Sequence, residues 1–345
     1  MAQGASPTGA KERRGVTIAE VAQAAGVSVP TVSKVLNGRP GVSAATRRQV
    51  EQALDEQGYQ HRRPYPGSGT GLVDFVINAL DTQWATTLLR GAQAEVARLG
   101  LDLVVTTTAT PSGGRTWVEH LSRRSSEGVI LVAADVHVAA EEELSRLRMP
   151  VVLLDPIGAS APSLPTIAAT NWAGGRDATE HLIALGHTRI AVITGPIVDE
   201  SHHDRLDGYR SALQRHGLPV DAALVRHGDS LVSGGVEHGR ALLSLPERPT
   251  AIVSGSDEQA YGVYLAAAEL GLSVPKDVSV VGFDDVDLCQ WVTPALTTVR
   301  QPLREMGREA ARIVVEMSRS ALAPTQRTEL ATKLIVRRST AAPQG

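Results

Sequence analysis

From residue 72 onward the chain alternates short, unbroken apolar runs with amphipathic stretches, in two successive series. GLVDFVI, LDLVVT, GVILVA and PVVLL form the first; RIAVIT (189–194), TAIVS (250–254) and VSVVGF (278–283) form the second. A strand with one solvated face alternates apolar and polar residues. A strand covered on both faces reads as a continuous run, so these segments are expected to be strands of parallel sheets. Helical periodicity fills the gaps, at 84–99, 115–125 and 139–147 and then at 174–185, 204–216, 233–244 and 258–270. Two such series predict an α/β core of two doubly wound lobes with parallel sheets. Ligands bind such sheets at the carboxyl ends of the strands. The cleft between two lobes is a natural small-molecule site that can close on its occupant.

The first sixty residues follow another rule. VTIAEVAQAAGVSVPTVSKVLNG (16–38) reads as two short helices joined by a tight turn. Ile18, Val21, Ala22 and Ala25 share one helical face, and Gly26 stands where the chain turns and a Cβ would resist a positive φ. Ser28 is placed to cap the second helix, with Pro30 in its first turn, where a missing N–H is harmless. Val32 and Val35 face inward, leaving Thr31, Ser33, Lys34 and Asn37 outward: short hydrogen-bonding groups and one cation, suited to a DNA major groove. A third helix is expected from the Ser43 cap to Gly58, with Val50, Ala53 and Leu54 as its apolar stripe. Arg47 and Arg48 oppose the dipole at its start, which either an anionic neighbour such as a phosphate or plain solvation would accommodate.

Charge divides the chain in the same way. Between Lys11 and Arg63 there are nine Lys or Arg against five Asp or Glu, a net of +4, whereas the whole chain is −3. A basic module on an acidic body suits a DNA binder whose larger part stays off the duplex. Residues 1–14 are expected to be a disordered tail, 15–61 the helix-turn-helix domain, and the Pro/Gly/Ser-rich stretch 62–71 a hinge. The effector-binding core is expected at 72–340, with lobe 1 over about 72–168 and 301–331 and lobe 2 over about 169–300 and 332–340. GSGTG in the hinge precedes a strand, the reverse of a dinucleotide-binding loop. The single cysteine, Cys289, allows no internal disulfide and fits a reducing compartment. No signal-like run opens the chain and no stretch has the ~20 apolar residues of a membrane span, so a cytoplasmic protein without membrane contact is expected.

The motifs TIAEVAQAAGVSVPTVSKVLNG, ATEHLIALGHTRIAVITGP, DRLDGYRSAL and VSVVGFDDVDLCQWVTPALTTVRQPLREMG, in that order, resemble the LacI/GalR-type bacterial transcriptional repressors over almost the full length. The resemblance implies a small all-α helix-turn-helix domain joined by a hinge to a two-lobed, periplasmic-binding-protein-like α/β core. It further implies a homodimer on a pseudo-palindromic double-stranded operator. Affinity would be set by a small effector, usually a mono- or oligosaccharide, with no other cofactor. On this likeness Thr17, Ser28, Val29, Pro30, Thr31, Ser33, Lys34 and Arg47 are the expected DNA-contacting residues. Val29 offers only apolar contact, for instance to a thymine methyl, and Pro30 has no donor, so specificity should lean on Lys34 and its polar neighbours. Asn37 suits either a phosphate contact or a helix C-terminal turn. The hinge departs from the family: the expected Leu wedge is missing, and Pro64 and Pro66 disfavour a hinge helix. Either Arg62 and Arg63 enter the minor groove as an extended arm, or the operator is not kinked in the usual way.

In the core the resemblance places Asp155 at the end of PVVLLD, Arg205 in DRLDGY, Ser256 and Asp257 after TAIVS, and Asp284 at the end of VSVVGFD. Carboxylates and a guanidinium converging on a cleft suit the paired hydroxyls of a sugar. Each acid could instead cap a helix, Asp257 above all, and Arg205 could hold a structural ion pair. Trp84 could stack on a sugar face or pack between lobes or subunits. Trp172 is a weaker candidate, and Gln301, at a crossover between lobes, could serve effector or hinge. A regulator with a non-sugar effector or a corepressor fits the same architecture, as does a sugar-binding protein without DNA function. Enzyme constellations are missing: there is no Gly-x-Ser-x-Gly and no His-Glu-x-x-His. His202, His203 and Asp204 adjoin an expected loop and are expected to be solvated or at the cleft rim, in preference to a metal site.

Overall fold

The computed structural model describes residues 16–36, 41–57, 70–108, 117–124, 126–133, 149–157, 164–196, 198–320 and 327–344. The expected tail, Asn37, Arg62, Arg63, the hinge up to residue 69 and the helix expected at 139–147 lie outside them. The chain separates into two compact units, residues 1–69 and 70–345.

The first unit is a three-helix cluster: α1 (Ile18–Ala24), α2 (Val29–Leu36) and α3 (Ala44–Glu56). Its core is Val21, Ala22, Ala25, Val32, Val35, Val50, Ala53 and Leu54. Gly26 takes φ +60 at the turn between α1 and α2, the conformation its missing Cβ permits. All three helix starts are capped by hydroxyls. Thr17 forms a reciprocal capping box with Glu20, Ser28 Oγ accepts from Thr31 N, and Ser43 Oγ accepts from Thr46 N.

The second unit carries two six-stranded sheets. The first is built from β1 (Leu72–Ile77), β2 (Asp102–Thr107), β3 (Gly128–Val132), β4 (Val151–Leu154), β5 (Thr166–Ala169) and β11 (Arg327–Leu330), in the order β11-β5-β4-β3-β1-β2. The second comprises β6 (Ile190–Thr194), β7 (Val225–His227), β8 (Ala251–Ser254), β9 (Ser279–Asp284), β10 (Thr297–Arg300) and β12 (Lys333–Ile335), in the order β12-β10-β9-β8-β6-β7. Among the described residues every strand pairing is parallel except β10 with β12. The central strands β3, β4, β6, β8 and β9 are buried at every residue, as their unbroken apolar runs require. One expectation fails here: LDLVVT is a sheet-edge strand, with Asp102, Val105 and Thr107 exposed.

Helices cover both sheets: α4 (Gln83–Arg98), α5 (Trp117–Arg124) and α11 (Leu303–Arg319) around the first, and α6 (Asn171–Ala184), α7 (Glu200–Arg215), α8 (Val232–Leu243) and α9 (Asp257–Glu269) around the second. A short helix, α10 (Leu288–Trp291), follows β9. Three helix pairs cross through reciprocal glycines, Gly91 with Gly307, Gly175 with Gly208, and Gly235 with Gly262; a Cβ at any of them would strike facing backbone. The Gly175 contact presses α6 against the backbone of Arg205 and so sets the depth at which that side chain enters the core. Among the described residues no helix is long and apolar enough to cross a membrane.

Candidate functional site

The outer face of α2 carries what the sequence reading placed there. Val29 is 43% exposed, Pro30 and Lys34 are exposed, and Thr31 and Ser33 are half-buried. Three hydroxyls are already engaged in the local fold. Thr17 Oγ1 donates to Glu20 Oε2 at 2.9 Å, and the Thr31 and Ser28 hydroxyls bond each other at 2.8 Å. Val29, Pro30 and Lys34 are therefore the exposed candidates on α2, with half-buried Arg47 on α3.

In the second unit a cavity of 450 Å³ opens between the two sheets, lined from both. Its walls are the loops that leave the carboxyl ends of parallel strands, where unpaired backbone and short polar side chains converge. Ile77, Asn78, Asp81 and Thr82 follow β1, with Trp84 on the first turn of α4. Ala133 follows β3, and Asp155 and Ile157 follow β4. From the second sheet come Asp199, His202 and Arg205, then Asp229 and Ser230, then Ser256 and Glu258, and Asp284 at the end of β9. Among the described non-glycine residues five have positive φ, and four of them line this cavity: Ala133 (44), Asp155 (49), Ser230 (67) and Asp284 (119). Each such conformation stores about 1–3 kcal/mol, strain that concentrates where a chain must aim a group at a ligand.

Arg205 is held from three sides. Its Nε donates to Asn171 Oδ1 at 2.9 Å, its Nη1 donates to the Gly255 carbonyl, and its guanidinium lies 3.9 Å from the centroid of the Phe283 ring. The alternative of a structural ion pair is not realised, because no carboxylate lies within ion-pair distance of it among the described residues. Burial pushes the Asp155 carboxyl up to about 6, against the pull of Arg205. Burial likewise holds Asp284 well above the usual carboxylate range, and raises Asp199 and Glu258.

His202 lies with His203 and Asp204 inside α7, which begins earlier than expected, and it lines the cavity with its ring buried. Its Nδ1 accepts from Gly195 N at 3.2 Å, so the ring proton sits on Nε2 and is donated to Ser230 Oγ at 2.9 Å. Burial, with Arg205 nearby, keeps the imidazole neutral. Among the described residues no group of three His, Cys, Asp or Glu side chains is placed to hold a metal ion.

Of the expected effector residues, Trp84, Asp155, Arg205, Ser256 and Asp284 line the cavity and two do not. Asp257 is fully buried and turned away. Its carboxylate accepts from Val286 N at 3.0 Å and from Thr298 Oγ1 at 2.6 Å, and the helix cap assigned to it belongs to Ser256. It therefore braces the loop behind Asp284. Gln301 lies behind the same residue, its Nε2 donating to Asp284 Oδ1 at 2.6 Å, and it is buried outside the cavity. Asp81, Asp199, Asp229, Ser230 and Glu258 also line the cavity and are not among the residues expected from sequence. All follow strand ends, and that position was the available signal. Trp172 is 40% exposed under Arg176, and Trp291 is 68% exposed; neither lines the cavity.

Comparison with known proteins matches the same two units. Residues 17–61 match the family model for bacterial regulatory proteins of the lacI family, and 179–340 match a periplasmic binding protein-like domain. The ribose operon repressor of Escherichia coli (strain K12) is 34% identical over 328 residues, covering 94% of this chain and 99% of that one. A solved complex of the transcriptional regulator CelR with cellobiose superposes with a TM-score of 0.73 at 32% identity, covering 94% of this chain and 99% of that one. The lac repressor dimer bound to operator and the anti-inducer ONPF gives 0.69 at 29% identity, covering 95% and 100%. Likeness of that extent, with the helix-turn-helix and the binding core each on its own segment, has one meaning: this chain belongs to the LacI family of bacterial DNA-binding transcriptional regulators.

Proposed function

We propose that this regulator is a repressor whose operator affinity is set by a sugar seated in the cavity between the two sheets. The observation that carries the reading is the convergence of Arg205, Asp155 and Asp284 beside Trp84 at the carboxyl ends of both sheets. Carboxylates accept from sugar hydroxyls, the guanidinium donates to them, and an indole covers a C–H face. The similarity to a ribose operon repressor and to a cellobiose complex supports the same ligand class. The similarity to an operator-bound dimer supports two copies of this chain on a pseudo-palindromic duplex. Effector binding shifts the population between two lobe arrangements, only one of which suits both half-sites. The regulator works where its DNA is, in the cytoplasm, and needs no cofactor besides the effector.

The test is a titration of mono- and oligosaccharides followed by tryptophan fluorescence, with Trp84→Phe as control. A saturable change that is lost in the control is expected. A change that survives in Trp84→Phe keeps the sugar and removes Trp84 from the contact. Silence from every sugar overturns the sugar reading.

A further inference from the structure

We propose that the cavity accepts only effectors without an anionic group, hydroxyl- or amine-bearing ligands, and rejects phosphate esters and sugar acids. The inference rests on the reading of this cavity as the effector site and adds the charge class of what it takes.

Six carboxylates line the cavity: Asp81, Asp155, Asp199, Asp229, Glu258 and Asp284. Among the described lining residues Arg205 is the single Lys or Arg. Two of its donors are committed to Asn171 and Gly255, and its face is covered by Phe283. His202 cannot add a second positive charge without giving up the Gly195 hydrogen bond, because its Nδ1 is the acceptor. The lining is therefore acidic: six carboxyl groups, some held protonated by burial, face one guanidinium whose donors are partly committed.

The contrast with adjacent residues shows how local this is. Asp285 holds two arginines, Arg300 at 2.6 Å and Arg337 at 2.5 Å. Asp284, one residue earlier and turned into the cavity, has no ion pair among the described residues and receives the neutral amide of Gln301. Glu200 pairs with Arg327 at 3.0 Å, whereas the Asp199 side chain beside it has no hydrogen-bond partner among the described residues. Asp155 is 8% exposed, and its carboxylate also lacks a partner among them. Carboxylates that face the cavity with no hydrogen-bond donor on them accept from a ligand, and a hydroxyl or an ammonium supplies the donor. A phosphate brings roughly −1.5 to −2 charges and acceptor oxygens instead. Like charges brought together in a desolvated site lose several kcal/mol of binding, which corresponds to at least a ~100-fold loss of affinity.

The experiment is a thermal-shift titration of the full chain with D-ribose, D-glucose, cellobiose and D-glucosamine, against ribose 5-phosphate, glucose 6-phosphate and gluconate. Inorganic phosphate against chloride at equal ionic strength, on wild type and on Arg205→Lys, probes for an oxyanion site without needing the right sugar. The expected result is a saturable rise with an uncharged or amine sugar and at least ~100-fold weaker binding of its anionic relative. The phosphate increment should be the same in both proteins. Tighter binding of an anionic relative than of its parent overturns the proposal, as does a saturable phosphate increment that Arg205→Lys abolishes. If no sugar of either kind binds and the phosphate increments match, the exclusion of anions stands and the sugar reading fails.

Discussion

Replacing Asp155 with Asn should stabilise the protein, although Asp155 lies at the heart of the cleft. Burial raises its carboxyl from the ordinary 3.8 to about 6, with Arg205 and Arg327 pulling down and Asp199 and Glu200 pushing up. A raised acid binds more protons folded than unfolded between pH 4 and 6, so stability falls as pH rises through that window and stays low above it. At about 1.36 kcal/mol per pH unit, holding this carboxylate ionised at pH 7.5 destabilises the fold by about 3 kcal/mol. The Asn amide is still desolvated, which costs about 1–2 kcal/mol, so the net gain is about 1–2 kcal/mol. For a unit of this size that is a rise of roughly 2–4 °C in Tm. Thermal unfolding followed by circular dichroism at pH 7.5 and 4.5 is the assay. At pH 4.5 only about 1 kcal/mol of the penalty remains and the advantage of Asn disappears. A variant that melts below wild type at pH 7.5 would refute the reasoning, since it would mean the carboxylate is paired.

Lys34→Ala should weaken binding to a selected operator at least about tenfold and to a scrambled duplex much less, measured by fluorescence anisotropy; equal losses would make Lys34 a phosphate contact only. Asp257→Ala removes the acceptor of Val286 N and Thr298 Oγ1, and denaturant unfolding should show a loss of about 2–3 kcal/mol. Gly175→Ala drives a Cβ into the Arg205 carbonyl; it should lose about 1–3 kcal/mol of stability and weaken sugar binding through displacement of Arg205. Unchanged sugar affinity in a destabilised Gly175→Ala would separate that helix crossing from the site.

Much of the fold is legible because its physics is repetitive. Strands covered on both faces leave little room for polar residues, so GVILVA, PVVLL and RIAVIT announce themselves. The edges carry no such constraint: Val225–His227, Arg327–Leu330 and Lys333–Ile335 are short and mixed, and they are strands only because a neighbour pairs with them. The site follows the same division. Asp155 and Asp284 end apolar runs and stand at the cleft for that reason. Asp257 misleads because one helical step rotates a side chain by about 100°. Ser256 and Glu258 meet the cavity while the residue between them enters the core. Asp199, Asp229 and Ser230 sit on connections without periodicity, and only the assembled sheet brings them beside Asp155. His202 reads as a solvated residue until the Gly195 N–H and the Ser230 hydroxyl are seen on its two nitrogens.

The central claim is that occupancy of this cavity governs DNA binding. The most direct test measures the affinity of the full chain for a duplex it has itself selected from a random pool, with and without the sugar found by titration, in wild type and in Arg205→Ala. The account predicts at least a tenfold sugar-dependent change in wild type, about 1.4 kcal/mol of coupling, and none in the variant. A sugar that saturates the cavity and leaves the operator affinity of wild type unchanged would contradict it.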